Sequence, residues 1–544
     1  MTKENIKQME QKLFSRNFKK FGLDMNPVVS IVSGLFILVF AGYALYDLEQ
    51  ASRVFDSIKN TIVSKGDWVF ILSSNFFLIA CLYLAFSKLG KIRIGGAKAK
   101  PEFSNFAWYS MLMSAGMGIG LLFWSVGEPL YHMQNKPPIF SDISKANSAL
   151  ATTFFHWGLH PWATYAVIGL ALAFFAYNKK LPLSLRSVFY PILKDKVFGI
   201  AGDIIDILAV VACLFGLATS LGLGVQQINS GLSYLFGIDF NVNIQVVLIT
   251  IITLIATLSV VSGIDKGVKI LSELNIKIAF VFVLAVLILG PTAYILKVFS
   301  GALGVYVNDF IKSSFFISVG GSSWQGDWSV FYLAWWISCS PFVGMFVARV
   351  SKGRTIREFI LAVIIVPTIL SFIWLSVFGA SAMYIDNSTG GTLFEVVQSN
   401  LPVALFEMIN LLDMNLLAGV IKIVLSLLGT VLIISFFVTS SDSGSLVVDS
   451  ITSGGKLDSP VPQRVFWACM EGFVAAVLLL IGGEKALAAL QTAVISSGLP
   501  FAIILFVMSI LLVKSINEYY NTIKSKRIEE LELHDSARDN KISA

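Results

Sequence analysis

Tyr332-Leu-Ala-Trp-Trp-Ile-Ser-Cys-Ser-Pro-Phe-Val-Gly344 decides how this chain is to be read. Paired tryptophans, small polar groups and a proline share one apolar stretch long enough to enter a bilayer. In hydrocarbon every backbone polar group must find its partner inside the protein. Pro341 has no N–H to give the carbonyl of Ile337, so a broken helix is expected here. Trp335 and Trp336 beside such a break are poor lipid anchors and a candidate cation site.

The rest of the chain fits a membrane setting. Of 544 residues, 56% are hydrophobic and 14% charged, against about 25% charged in ordinary soluble domains; mean hydropathy is +0.77. Apolar runs of about 20 residues, the length that crosses a bilayer, recur throughout. The spacing predicts an all-α integral membrane protein of twelve spans, near 28–48, 68–88, 105–126, 148–177, 200–221, 244–263, 276–297, 328–348, 359–383, 416–440, 465–482 and 492–513. The weaker apolar segment at 381–415 reads as an outside loop. Residues 1–27 and 514–544 read as tails flanking one transport domain, 28–513.

Charge orients this arrangement. With Met1 inside, about 31 of the 40 Lys and Arg fall on the inner side, as the positive-inside rule requires. Both termini are then cytoplasmic, and the net charge of +6 reports topology with no call for a nucleic-acid partner. The basic amino terminus lacks the apolar core of a cleaved signal. The four cysteines (Cys81, Cys213, Cys339, Cys469) lie in expected spans and read as buried small hydrophobes. No CxxC, HExxH or P-loop is present, and no nucleophile–base pair is visible, so an enzyme or ATP-driven pump has no motif behind it.

Three further stretches could carry chemistry. In His156-Trp-Gly-Leu-His-Pro-Trp-Ala-Thr-Tyr165, a continuous helix would place Trp157, Trp162 and Tyr165 within one half of its circumference. Three π faces in one direction can wall a pocket for an organic cation, at roughly 0.5–2 kcal/mol per contact; an interfacial aromatic belt is the other reading. His156 and His160 read as local hydrogen-bond partners. Gly116, Gly118 and Gly120, in Ser114-Ala-Gly-Met-Gly-Ile-Gly120, weaken a helix and free backbone carbonyls, or else allow tight packing. Thr439 and Ser440, in Ser435-Phe-Phe-Val-Thr-Ser-Ser-Asp-Ser443, offer hydroxyls suited to Na⁺ or to ordinary interhelical bonding. Asp203, Asp206 and Lys422 lie near span ends within reach of water, as does Asp442, and Glu471 lies deeper. The glycine run and the Pro341 region open two five-span halves, 3–7 and 8–12, and interruptions at matching places point to a site between inverted repeats.

Together these stretches resemble the betaine–carnitine–choline transporter family. The likeness is carried by Ala115-Gly-Met-Gly-Ile-Gly120 with Gly127-Glu-Pro-Leu130, His156 to Trp162, Trp335 to Gly344, Arg354-Thr-Ile-Arg-Glu-Phe359 and Phe437-Val-Thr-Ser-Ser-Asp442. The resemblance implies a LeuT-like five-plus-five inverted repeat preceded by two helices, in a homotrimer in the cell membrane. It also implies an osmoprotective uptake function with co-transported Na⁺ and no organic cofactor. The aromatic box would be Trp157, Trp162, Tyr165 and Trp336, with Trp335 and Cys339 alongside and Gly116, Gly118 and Gly120 on the substrate's carboxylate side. Na⁺ would bind at Ser114, Met117, Phe436, Thr439 and Ser440. Cys339 departs from the family, whose sodium-coupled members carry tryptophan there and whose exchangers carry tyrosine. A second sodium site would need oxygens where Cys213 and Leu217 stand. In Leu271-Ser-Glu-Leu-Asn-Ile-Lys277, Ile276 occupies the place of the exchangers' arginine. The expected activity is Na⁺-coupled symport of glycine betaine, the alternatives being sodium-independent exchange of carnitine-type compounds or a choline carrier.

Overall fold

The computed structural model describes residues 13–116, 118–140, 144–262, 267–319, 323–413, 418–456 and 459–542. Among these the regular structure is entirely helical, with two isolated β-bridges, Phe18 to Met25 and Arg93 to Thr355. The principal helices are α1 (Pro27–Tyr46), α2 (Leu48–Phe86), α3 (Asn105–Gly116), α4 (Ile119–Gln134), α5 (Lys145–Trp157), α6 (Leu159–Ala173), α7 (Ile200–Phe236), α8 (Val242–Ser262) and α9 (Gly267–Leu289). They continue with α10 (Thr292–Asn308), α11 (Phe331–Val350), α12 (Ile356–Ser388), α13 (Thr392–Ser399), α14 (Ala404–Leu411), α15 (Ala418–Thr452), α16 (Val461–Gly482) and α17 (Ala486–Ile542).

Local signals set many of the ends. Asn26 caps α1 by accepting from the N–H groups of Val28 and Val29, and Pro27 occupies the first turn, where no donor is needed. Thr355 and Glu358 form a reciprocal capping box on α12, satisfying two otherwise orphaned donors. The face of α1 carrying Ile31, Leu35 and Val39 is exposed; with nothing apolar over it but lipid, it suits a bilayer and not water.

Nine described helices or helix runs are long and apolar enough to cross a membrane, and a tenth arises if Glu273–Leu289 and Thr292–Asn308 count as one span bent by 110°. The expected span at 276–297 is therefore not straight: α9 ends before Gly290-Pro291, and Pro291 turns the chain into α10. The expected outside loop at 381–415 is instead helical over its described part, with α12 running to Ser388 and α13 and α14 following. Beyond 514 the chain continues in α17 without interruption.

The two proline-containing segments behave opposite to expectation. Helix α11 passes through Pro341 unbroken. The Ser340 hydroxyl donates to the Ile337 carbonyl at 2.7 Å, which is the very group that Pro341 leaves without a donor. The segment read as one continuous fourth span is the one that parts, at Gly158 (φ −100°, ψ −136°), between α5 and α6. Pro161 then lies in the first turn of α6, where its missing N–H would have had no helical partner anyway.

Buried charge was also misplaced by the linear reading. Asp203 and Asp206 do not reach water; both are buried. Arg186 pairs with Asp206 at 2.6 Å and with Asp203 at 3.0 Å, while Arg16 reaches Asp203 at 2.7 Å. Asp442 is buried too, whereas Cys469, expected inside, is exposed. Cysteine is small enough for either setting, and carboxylates survive burial where cations fold over them.

Candidate functional site

The site forms where both broken segments meet α11. Helix α11 packs along α6, α4 against α5, and α7 along α15. Trp157 is the last residue of α5, and Trp162 and Tyr165 lie in the first two turns of α6. The Gly158 break lets the last residue of one helix and the first turns of the next aim at a common point. All three rings are buried, as are Trp335, Trp336 and Cys339 on α11.

Trp336 is the hub. Its ring centroid lies 5.7 Å from Trp157, 5.3 Å from Trp162 and 4.9 Å from Tyr165. Trp335 stands beside them, 6.3 Å from Trp157 and donating its indole N–H to Ser220 at 3.2 Å. The rings meet edge-on or tilted, the arrangement favoured by their quadrupoles. Against them lies a cavity of about 60 Å³ whose walls include Gly116, Gly118, Gly120, Cys339, Leu217 and Ser440.

The glycine run leaves the helix as expected: α3 ends at Gly116 and α4 begins at Ile119. Two of its glycines are also required by close approach. A Cβ on Gly116 would meet the Trp162 ring at 2.5 Å, and one on Gly120 would meet Trp335 at 2.5 Å. Both sequence readings hold at once, an unwound backbone and tight packing of small residues.

Of the residues proposed for Na⁺, Phe436 packs over Gly118 at ordinary contact distance. The Thr439 hydroxyl donates to the carbonyls of Ser435 and Phe436 at 3.0 and 3.1 Å, so its lone pairs stay available. Ser440 borders the cavity. Ser114 belongs to α3 through its backbone, and Met117 lies outside the described residues. Leu217, which lacks an oxygen, lines the cavity at one of the two positions of the second sodium site. Ile276 faces an apolar cleft shared with Phe436 and Gly118, and Lys277 is exposed.

One buried group escaped the sequence reading, although its motif was quoted. Glu128 of α4 is fully buried behind the box. It accepts hydrogen bonds from the Trp157 indole N–H at 2.8 Å and the Tyr332 hydroxyl at 2.6 Å, and sits 2.6 Å from Nδ1 of His156. His156 reaches Ser329 with its other nitrogen at 2.9 Å, and His160 contacts Asn75 at 3.1 Å. The signal was there: a carboxylate inside an apolar stretch is a functional candidate by default.

An all-helical bundle with interrupted segments enclosing an aromatic chamber is the architecture of a membrane transport protein. A family model described as betaine/carnitine/choline family transporter matches residues 28–521. The chain is 48% identical over 500 residues to glycine betaine transporter 1 of Vibrio parahaemolyticus, covering 91% of this chain and 94% of that one. A glycine betaine/proline/choline/ectoine transporter of the same organism is 46% identical, covering 94% of this chain and 91% of its own. A glycine betaine transporter of Acinetobacter baylyi is 41% identical, covering 93% and 75%. The chain belongs to the betaine/carnitine/choline transporter family. It is a multi-pass membrane protein and a transporter, not an enzyme.

Proposed function

We propose that this protein takes up glycine betaine by Na⁺-coupled symport, through alternating access in a twelve-span, inverted-repeat bundle assembled as a homotrimer with both termini cytoplasmic. One observation carries the reading: Trp157, Trp162, Tyr165 and Trp336, drawn from three helices, converge in a buried chamber beside the Gly116–Gly120 run. A quaternary ammonium has no hydrogen-bond donors to satisfy, so aromatic faces suffice to hold it, at roughly 0.5–2 kcal/mol each. The trimethylammonium needs Trp336 to swing aside, because its ring lies within 6 Å of three others. Glu128 holds the Trp157 indole from behind, and a carboxylate on the N–H enriches the π face offered to a cation.

Sodium would tie α3 to α15 through backbone oxygens near Ser114 and Met117 and the hydroxyls of Thr439 and Ser440. One Na⁺ moving through about 150 mV gains roughly 3.5 kcal/mol, and a tenfold gradient adds about 1.4 kcal/mol. That supports accumulation of a zwitterion by about three and a half decades. Lys277 is exposed and Ile276 holds the neighbouring inward position, which speaks for coupling by sodium over a fixed positive charge. The relative named for glycine betaine, proline, choline and ectoine makes choline and proline the competitors to try first. Uptake of radiolabelled glycine betaine into vesicles, with and without Na⁺ and against choline, proline and carnitine, tests the reading. Undiminished uptake without sodium would replace it with exchange.

A further inference from the structure

We infer that Glu128, His132 and His156 form a buried transition-metal site of the Zn²⁺ class, bridging α4 to α5 behind the aromatic chamber. Glu128 and His132 are four residues apart and share one face of α4, and His156 comes across from α5. One ligand atom from each can be chosen so that all three lie within 4.8 Å of one another, and all three residues are buried. Two imidazoles and a carboxylate are a donor set that zinc accepts with a fourth position left open.

The independent observation is His132. It is 1% exposed, yet neither ring nitrogen has a partner within ordinary hydrogen-bond distance. Its Nε2 stops 3.6 Å from Glu128 Oε1, too far for a hydrogen bond. Tetrahedral coordination with bonds of about 2.0–2.1 Å sets ligand atoms roughly 3.3 Å apart, so that separation already suits a shared metal. The 2.6 Å contact between Glu128 and His156 would open by roughly 0.7 Å on the same geometry. His156 is supported from outside: its Nε2 lies 2.9 Å from the Ser329 hydroxyl. Donation of Nε2–H to that oxygen leaves the Nδ1 lone pair for the metal, and any Nδ1 proton passes to solvent on binding.

The nearest opening lies on the far side of Trp328, whose ring would have to move for a metal to enter. The His132 ring lies 4.5 Å from that of Trp328, and Trp328 with Tyr131, Gln226, Asp327 and Gln491 lines a cleft of about 910 Å³. Because Glu128 also holds Trp157, a metal here would pin the back of the substrate chamber and inhibit uptake.

The test is spectroscopic and does not depend on transport. Tag-free, detergent-solubilised full-length protein is titrated with Co²⁺, whose tetrahedral complexes absorb strongly in the visible. A saturable band that excess Zn²⁺ bleaches is expected, absent in His132→Gln and shifted to 10–100-fold weaker binding in Ser329→Ala. No band in the wild type, or a band that survives His132→Gln, overturns the site and leaves a buried water as the partner of His132. If His132→Gln fails to elute as folded protein, unchanged affinity in Ser329→Ala overturns it equally.

Discussion

Pro161 and Pro341 both lie in apolar helices, the first in an opening turn where no donor is missed and the second mid-helix, and only the first follows a break. Around Pro341 the neighbouring Ser340 supplies a hydroxyl to the stranded Ile337 carbonyl, so α11 remains whole. Before Pro161 comes Gly158, which can leave helical geometry cheaply, and the chain restarts as α6. Pro129, Pro367 and Pro500 also sit inside unbroken helices. A glycine ahead of a proline is not enough to part a helix, since Gly127 precedes Pro129 and Gly498 precedes Pro500 inside whole helices; at Gly158 the backbone itself leaves helical angles, and at Pro341 a serine fills in for the missing hydrogen. The consequence is functional: the parted helix aims three rings from two helix ends, and the whole one presents Trp335 and Trp336 in fixed register.

The largest effect should come from erasing the break. Gly158→Ala with Pro161→Ala lets α5 and α6 fuse, except that a Cβ at 158 would meet the Phe154 carbonyl at 2.5 Å. Either outcome misdirects Trp157 relative to Trp162. Glycine betaine uptake should fall by more than about a hundredfold while membrane insertion, followed by immunoblot, persists; losing two ring contacts accounts for it. Normal transport would show that the break is incidental. On the whole helix, Trp336→Leu removes the ring that touches three others and should raise half-saturating betaine by roughly 5–30-fold. An unchanged value would remove the box from the mechanism.

Thr439→Ala combined with Ser440→Ala should raise half-saturating Na⁺ several-fold, with uptake recovering at high sodium. A sodium curve that does not move would place the ion elsewhere. Smallest of all, Ser340→Ala strips the substitute hydrogen bond from Ile337. It should cost about 0.5–1.5 kcal/mol of stability in a thermal-melt assay and leave uptake within about twofold. A collapse of transport would mean that α11 does hinge at Pro341.

Much of the site was legible because aromatic rings and hydroxyls in an apolar chain are conspicuous. Trp157, Trp162, Tyr165 and Trp336 do converge, but not because the first three share one half of a continuous fourth helix: that helix parts at Gly158. Glu128 was overlooked although it lies between Gly127 and Pro129 in a quoted motif. Its role depends on Tyr332, some two hundred residues later, and no local pattern links the two. Asp203 and Asp206 were set near water because they stand early in α7, whereas Arg186 and Arg16 fold over them.

By itself the sequence determined the solvent, the helical class and the family, since hydropathy and backbone satisfaction in hydrocarbon are summed residue by residue along the chain. Tertiary structure alone decided where helices part, which carboxylates are buried and how far the rings stand from one another. Those outcomes turn on partners brought from distant segments to satisfy one donor or one charge, and such partners have no signature within any single window.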